Sequence, residues 1–316
     1  MRASLRAVTD ELKRLKAEGV TSLPVSPESI ARLREVIDGM RNAESQPAAQ
    51  TSATPAAPTP APPPATATIA LNVGRSTLDV ERSAQSASAS LPPPVVTLPD
   101  GDKATRWAWL KDLVTNHPIC RANVRPGKLP VLGVGTLDAK IMFVGEAPGA
   151  EEEVRGEPFV GPAGQLLTRM IAGMGLKRED VYIGNIMNWR PQIPTPPGCE
   201  QIGNRPPSQA EMEFCLPFFR AQVAIVNPDI LVALGKTAAQ GMLGLGNVKT
   251  LGQVRGRWHT FDGKPLMVTY HPSYLLHQSD QSARAKQSKR MIWEDLLQVM
   301  ERAALPISEK QRGYFL

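Results

Sequence analysis

Glu146, Asn185 and His271 are polar side chains in places where apolar packing asks for none, and each belongs to a strand-like run or follows directly on one. "KIMFVG" (140–145) runs into "GEAPGAEEE", "DVYIGNIM" (180–187) carries Asn185, and "PLMVTYH" (265–271) runs into "HPSYLL". Gly145 and Ala147 flank Glu146 in a turn rich in glycine and proline, where backbone can approach a ligand closely. The turn has neither the G-x-G-x-x-G of a dinucleotide site nor the Lys-Ser/Thr that closes a phosphate loop. Its carboxylates, Glu146, Glu151, Glu152 and Glu153, would repel phosphate; they suit orienting a water or stabilising positive charge on a sugar. An asparagine amide offers both a donor and an acceptor to a planar ligand, and a histidine can donate to an oxygen on which negative charge builds. Phe159, between the glycines of "GEPFVGPAG", can stack on a base. Taken singly, each residue also fits a bland role as a turn carboxylate, a loop amide or a core ring.

What gives these residues a common meaning is the order of elements around them. A further apolar run, "DILVALG" (229–235), opens into "LGKTA", and helical patterns fill 162–174, 208–226 and 236–243 between the strands. Alternation of strand and helix predicts an α/β domain of three layers, α/β/α, with a central parallel sheet of about four strands. "LPVLGVG" (129–135) is expected to add a short edge element, and 286–303 a closing helix. Ligands of open α/β sheets bind at the carboxyl ends of the strands, so Glu146, Asn185 and His271 are expected to meet at one edge.

Composition divides the 316 residues into regions. Leu5, Val8, Leu12 and Leu15 form one helical stripe and Ile30, Leu33, Val36 and Ile37 another, behind the capping segment "SPES". Residues 1–43 therefore predict a helical hairpin, a possible docking element for a protein partner. Residues 44–99, mostly Ala, Pro, Ser and Thr, bury too little to offset ordering entropy and predict a disordered linker. Residues 100–303 hold the globular domain, and 304–316 form a C-terminal tail. The N-terminus lacks the apolar run of a signal peptide, no stretch nears a membrane span, and three cysteines are too few for a secreted disulfide framework. The reading is a soluble, cytoplasmic protein. A net charge of +6 fits a polyanionic partner such as nucleic acid.

The segments "MFVGEAPGAEEEVRGEPFVGPAGQLL", "VYIGNIMNWRP", "GNRPPSQAEMEFC", "ALGKTAAQGML" and "TYHPSYLL", in this order, resemble the uracil-DNA glycosylase superfamily, specifically its family 4 iron–sulfur branch. The resemblance spans about residues 105–303. It implies a monofunctional enzyme that flips uracil out of DNA and hydrolyses its N-glycosidic bond. Phe159 would stack on the base within a pocket framed by Gly145 and Ala147. Asn185 would read the uracil edge, and His271 would donate to O2. Other branches place an aspartate at the position of Ala147, so the water must be held otherwise, with Glu146 and Glu152 as candidates. Ser273, Tyr274 and Leu275 would approach DNA, Tyr274 or Leu275 as a wedge, with Arg284, Lys286, Lys289 and Arg290 near phosphates. A non-hydrolytic uracil-DNA or replication-associated binding protein is the alternative. Some relatives trap DNA covalently through an inserted basic, His-containing loop, but the insertion "QIPTPPGCEQIG" has neither Lys nor His.

The same resemblance implies a structural [4Fe–4S] cluster held by four cysteines, and here this chain departs from the pattern. Cys199 and Cys215 flank "GNRPP", but Trp189 occupies the usual ligand position before "RP". The earlier C-x-x-C pair reads "HPIC", so His117 would join Cys120, Cys199 and Cys215. Imidazole is an accepted iron ligand in some centres. A cluster without this histidine, no cluster, and a zinc site from the same residues remain open alternatives.

Overall fold

The computed structural model describes residues 92–196, 198–276 and 283–314. The expected hairpin at 1–43 and the linker as far as residue 91 lie outside them, while residues 92–99 carry no regular secondary structure. One sheet organises the domain. Its strands are β1 (Val134–Gly135), β2 (Ile141–Gly145), β3 (Tyr182–Asn185), β4 (Ile230–Leu234), β5 (Trp258–Phe261) and β6 (Lys264–Thr269), in the spatial order β1-β3-β2-β4-β6-β5. The four inner strands are mutually parallel, as expected, and antiparallel strands close both edges. β1 is the anticipated edge element. β5 was not anticipated; it pairs with β6 across a two-residue turn in which Asp262 and Gly263 both have positive φ, +46° and +80°, the hairpin geometry that Asp-Gly favours.

Alternating side chains of the inner strands feed two cores. Met142, Val144, Leu231, Ala233, Leu266 and Val268 point to one face. Ile141, Phe143, Ile183, Ile230, Val232 and Met267 point to the other. Along the chain the first six helices are α1 (Lys103–Asn116), α2 (Pro118–Asn123), α3 (Ala150–Arg155), α4 (Pro162–Gly173), α5 (Gln209–Val226) and α6 (Lys236–Leu243). After these come α7 (Leu251–Val254), α8 (Ser273–Leu276), α9 (Ala283–Arg302) and α10 (Glu309–Arg312). α5 and α6 cover the first face, α4 and α9 the second. A third apolar cluster lies between α1, α2 and α5.

Local chemistry sets the helix boundaries. Ser208 caps α5 in a reciprocal box with Glu211, whose carboxylate also takes two bonds from Arg205, and Asn227 ends the helix in the left-handed conformation. The segment expected as a C-terminal tail docks on the domain. The Trp293 indole N–H donates to the carbonyl of Gln311 at 2.7 Å, Gln311 donates to the carbonyl of Gly173 at 2.9 Å, and Tyr314 lies 5.1 Å from Trp293. No described helix is long and apolar enough to cross a membrane.

In α4, Gly164 presses directly on the Phe159 backbone: a Cβ there would lie 1.7 Å from the Phe159 carbonyl oxygen. Backbone cannot yield as a side-chain tip can. Gly164→Ala is expected to destabilise the domain by about 1–3 kcal/mol in chemical denaturation. Gly252→Ala, which meets open space in α7, should be neutral or stabilising by up to about 1 kcal/mol.

Candidate active site

β2 and β3 pair in parallel with Gly145 opposite Asn185. This register carries the chain beyond both strands to the same edge, where Ile186 and Met187 donate backbone bonds to the carbonyls of Gly145 and Glu146. The missing side chain of Gly145 makes the site. A Cβ there would come within 2.3 Å of Asn185 Oδ1 and 2.6 Å of the Phe159 ring. The two residues converge because nothing stands between them. β4 supplies backbone only: a Cβ on Gly235 (φ +93°) would meet the His271 Cβ at 2.9 Å. The sequence-predicted residues Glu146, Ala147, Glu152, Phe159, Asn185, His271 and Ser273 line one cavity of about 290 Å³ at this edge. A larger cavity of about 560 Å³ lies beside β1 between Trp107 and Tyr182, and none of the residues picked for chemistry lines it.

Asn185 is 4% exposed, and its Oδ1 has no hydrogen-bond partner. Leaving a buried acceptor unsatisfied costs about 1–3 kcal/mol. Such a group facing a cavity is pre-positioned for a ligand donor. Phe159 is 7% exposed with φ +54°, a left-handed conformation unusual for an aromatic residue, so the loop holds the ring at the cavity under strain. Its ring centroid is 5.6 Å from that of His271.

The state of His271 follows from its neighbours. The Ser273 backbone N–H donates to Nδ1 at 3.2 Å, and the Ser273 hydroxyl lies 2.7 Å from the same atom. Nδ1 must present its lone pair to a backbone donor, so the neutral ring carries its proton on Nε2. Burial lowers the His271 pKa below 6.5, against the opposing pull of Glu146 and Glu152. A neutral imidazole with a free N–H is the outcome. The strand beneath is clamped, because Asp295 of α9 accepts from the Thr269 hydroxyl at 2.6 Å and from Arg255 at 2.8 Å. Burial pushes the Asp295 carboxyl up to about 6.

The two candidate carboxylates differ in what holds them. Glu152 accepts from the backbone N–H of Gly149 at 3.0 Å and from those of Val160 and Gly161, each at 3.1 Å. It staples the "GEAPG" turn to the Phe159 loop. No described group hydrogen-bonds to the Glu146 side chain, which lines the cavity. Sequence reasoning missed Asn204, which also lines it. Its Oδ1 accepts from Arg190 Nε at 2.8 Å, which leaves the amide NH₂ toward the cavity side. The signal was the "GNR" segment, noted for its cysteines alone.

The loop expected to meet DNA forms a helical turn, α8, and the turn decides which side chain is free. Leu275 is 8% exposed and packs into the core between α4 and α9, whereas Leu276 is 43% exposed. The expected Leu275 wedge is therefore corrected: the helical turn points that residue inward and Leu276 outward. Tyr274 is held flat on Tyr270, centroids 4.8 Å apart and planes 9° apart, with Arg255 over Tyr270 and Arg284 donating to the Tyr274 hydroxyl.

The expected metal ligands do not come together as a set. Cys120 and Cys215 are fully buried in the third apolar cluster beside Trp189, Phe214 and Phe218, and burial pushes the Cys120 thiol up to about 12. His117 sits between α1 and α2, where Nδ1 accepts from the Ile119 N–H at 3.3 Å and the ring packs edge-on against Phe214 and Phe218. Cys199 is exposed on the inserted segment. Among the described residues no group of three or more His, Cys, Asp or Glu side chains is placed to hold a metal ion. The residues present do not fit an iron–sulfur cluster, nor zinc, and the four-ligand expectation is corrected on these grounds.

Comparison with known proteins accords with the site. The type-4 uracil-DNA glycosylase of Thermotoga maritima is 41% identical over 169 residues, covering 52% of this chain and 79% of that protein. The type-4 uracil-DNA glycosylase of Archaeoglobus fulgidus is 41% identical over 154 residues, covering 47% and 72%. A type-5 uracil-DNA glycosylase of Pyrobaculum aerophilum is 28% identical over 180 residues, covering 55% and 75%. The family model described as the uracil DNA glycosylase superfamily matches residues 132–297, a span that begins at the sheet edge and takes in every residue of the 290 Å³ cavity. The chain belongs to the uracil DNA glycosylase superfamily.

Proposed function

We propose that the chain is a monofunctional uracil-DNA glycosylase that takes uracil out of the DNA stack and hydrolyses its N-glycosidic bond. The observation that carries the reading is the buried, unpartnered Asn185 acceptor beside a neutral His271 whose free N–H meets the same cavity. Extrusion of the base costs a few kcal/mol, least at a mismatch. Asn185 pairs with the N3–H and O4 edge, accepting from one and donating to the other. Phe159 packs against the base plane. As the C1′–N1 bond breaks, its electron pair stays on uracil and spreads to O2, where His271 Nε2–H donates. The sugar becomes oxocarbenium-like, and the Glu146 carboxylate stabilises it and orients the attacking water. The water oxygen bonds to C1′ and its proton passes to Glu146 or solvent, leaving an abasic site and a uracil anion that takes a proton from solvent. Glu152 acts through the loop it staples and is a positioning residue. Leu276 fills the gap left by the base. Arg284, Lys286 and Arg290 on the exposed face of α9, with Lys289 beside them, contact phosphates.

A uracil-containing oligonucleotide followed by alkaline cleavage of abasic sites provides the test. Asn185→Ala, His271→Ala and Glu146→Gln should each lower the single-turnover rate by about two orders of magnitude or more with the fold intact. Glu152→Gln should instead lower thermal stability together with activity. Normal rates in the first three variants would dismantle the assignment.

The nitrogen shifts of His271 should report the Nε2-protonated neutral ring at pH 7. Because burial lowers its pKa, the ring should gain its second proton only below pH 6.5. A midpoint above that value, or an Nδ1-protonated ring, contradicts the electrophile role.

Leu276→Ala should weaken excision from duplex DNA by about tenfold while leaving free-protein stability within about 0.5 kcal/mol. Leu275→Ala should cost stability, about 2–5 kcal/mol for a buried leucine. The reverse pattern would restore Leu275 as the wedge.

A further inference from the structure

We propose that this chain folds and acts without an iron–sulfur cluster, and that an aromatic core and a buried ion network hold the inserted segment that brings Asn204 to the cavity. Only the activity arm of the test rests on the function proposed above. Four thiolates are the usual complement of such a cluster, and the whole chain has three cysteines. Two of them, Cys120 and Cys215, lie together in the third apolar cluster, each 0% exposed. The ligand position before "RP" is Trp189, 2% exposed, its ring centroid 5.9 Å from that of Phe214. His117 closes the same cluster with its ring against Phe214 and Phe218, and its Nδ1 is spent on the cap of α2. Protein interiors are packed to crystal density. The indole that stands in the ligand position offers iron no lone pair, because its nitrogen is a donor only.

The segment that a cluster would otherwise pin is held by the residue after Trp189. Arg190 is 4% exposed and donates to Glu153 at 2.8 Å, to the Asn204 side chain at 2.8 Å and to the Gly203 carbonyl at 2.6 Å. Arg125 bonds to the same Glu153 carboxylate, itself 3% exposed. Gln201, also buried, donates to the Pro191 carbonyl at 3.1 Å and accepts from the Ile193 N–H at 3.1 Å. A carboxylate between two guanidiniums, with the remaining donors satisfied by loop carbonyls, is the arrangement in which a buried ion network specifies one conformation. No metal enters it.

Two measurements test this on the full chain. The protein purified anaerobically, and again after incubation with ferrous iron and sulfide, is expected to carry far less than one iron and one acid-labile sulfide per chain and no visible absorption band. About four of each per chain overturns the proposal, whether or not the sample excises uracil. Glu153→Gln removes the shared counter-charge and should lower the thermal midpoint by about 10 °C. It should also raise KM for uracil-containing DNA more than it lowers kcat, because Asn204 loses its placement while Glu146 and His271 keep theirs. A midpoint within about 2 °C of wild type, or a loss confined to kcat, removes the network from this role.

Discussion

The site depends on a single absent side chain. Gly145 ends β2 opposite Asn185, and the space that a methyl group would claim is filled by the Asn185 amide and the Phe159 ring. Parallel pairing delivers two strand ends to one edge as a matter of topology. Topology alone would leave the amide and the ring on either side of a Cβ. The same economy recurs where Gly164 accepts the Phe159 carbonyl and Gly235 accepts His271. Gly145, Gly164 and Gly235 together set how near Asn185, Phe159 and His271 stand.

Around that contact the polar groups divide into those that are satisfied and those held ready. Glu152 has its oxygens occupied by three backbone N–H groups, and His271 has one nitrogen occupied by Ser273. What they leave open is specific: one oxygen on Asn185, one N–H on His271 and the carboxylate of Glu146. A site of this kind does little reorganising when charge moves, because its dipoles are already fixed by the scaffold. The strain at Phe159 and the unsatisfied Asn185 are stability given up for that readiness.

Much of this was legible in the sequence. Alternating strand and helix patterns named the layers, and polar residues at strand ends named the edge on which Glu146, Asn185 and His271 meet. Residues whose meaning depends on a neighbour's conformation were not. Leu275 and Leu276 are chemically identical, and only the helical turn of α8 says which faces out. Glu146 and Glu152 are likewise one residue type, and only the count of backbone donors around each separates a staple from a free carboxylate. The β5–β6 hairpin is signalled in the sequence by its Asp-Gly turn alone, because half-buried "WHTF" lacks the apolar continuity of the inner strands. The metal set failed for a related reason. Spacing along the chain placed Cys199 near "GNRPP", but an insertion changes where a residue lies without changing what it is beside in the sequence.

The groove behind α8 is lined by Leu275 on one side and by Trp293 and Tyr314 on another. The last described turn of the chain therefore forms part of the seat on which α8 rests, through Gln311 on Gly173 and Tyr314 on Trp293. For protein engineering this gives the two ends of the domain unequal standing. A fusion joined before residue 92 extends from irregular backbone remote in sequence from the site. A peptide appended after Tyr314 starts at the wall supporting Leu275, so a carboxy-terminal tag is a perturbation of α8.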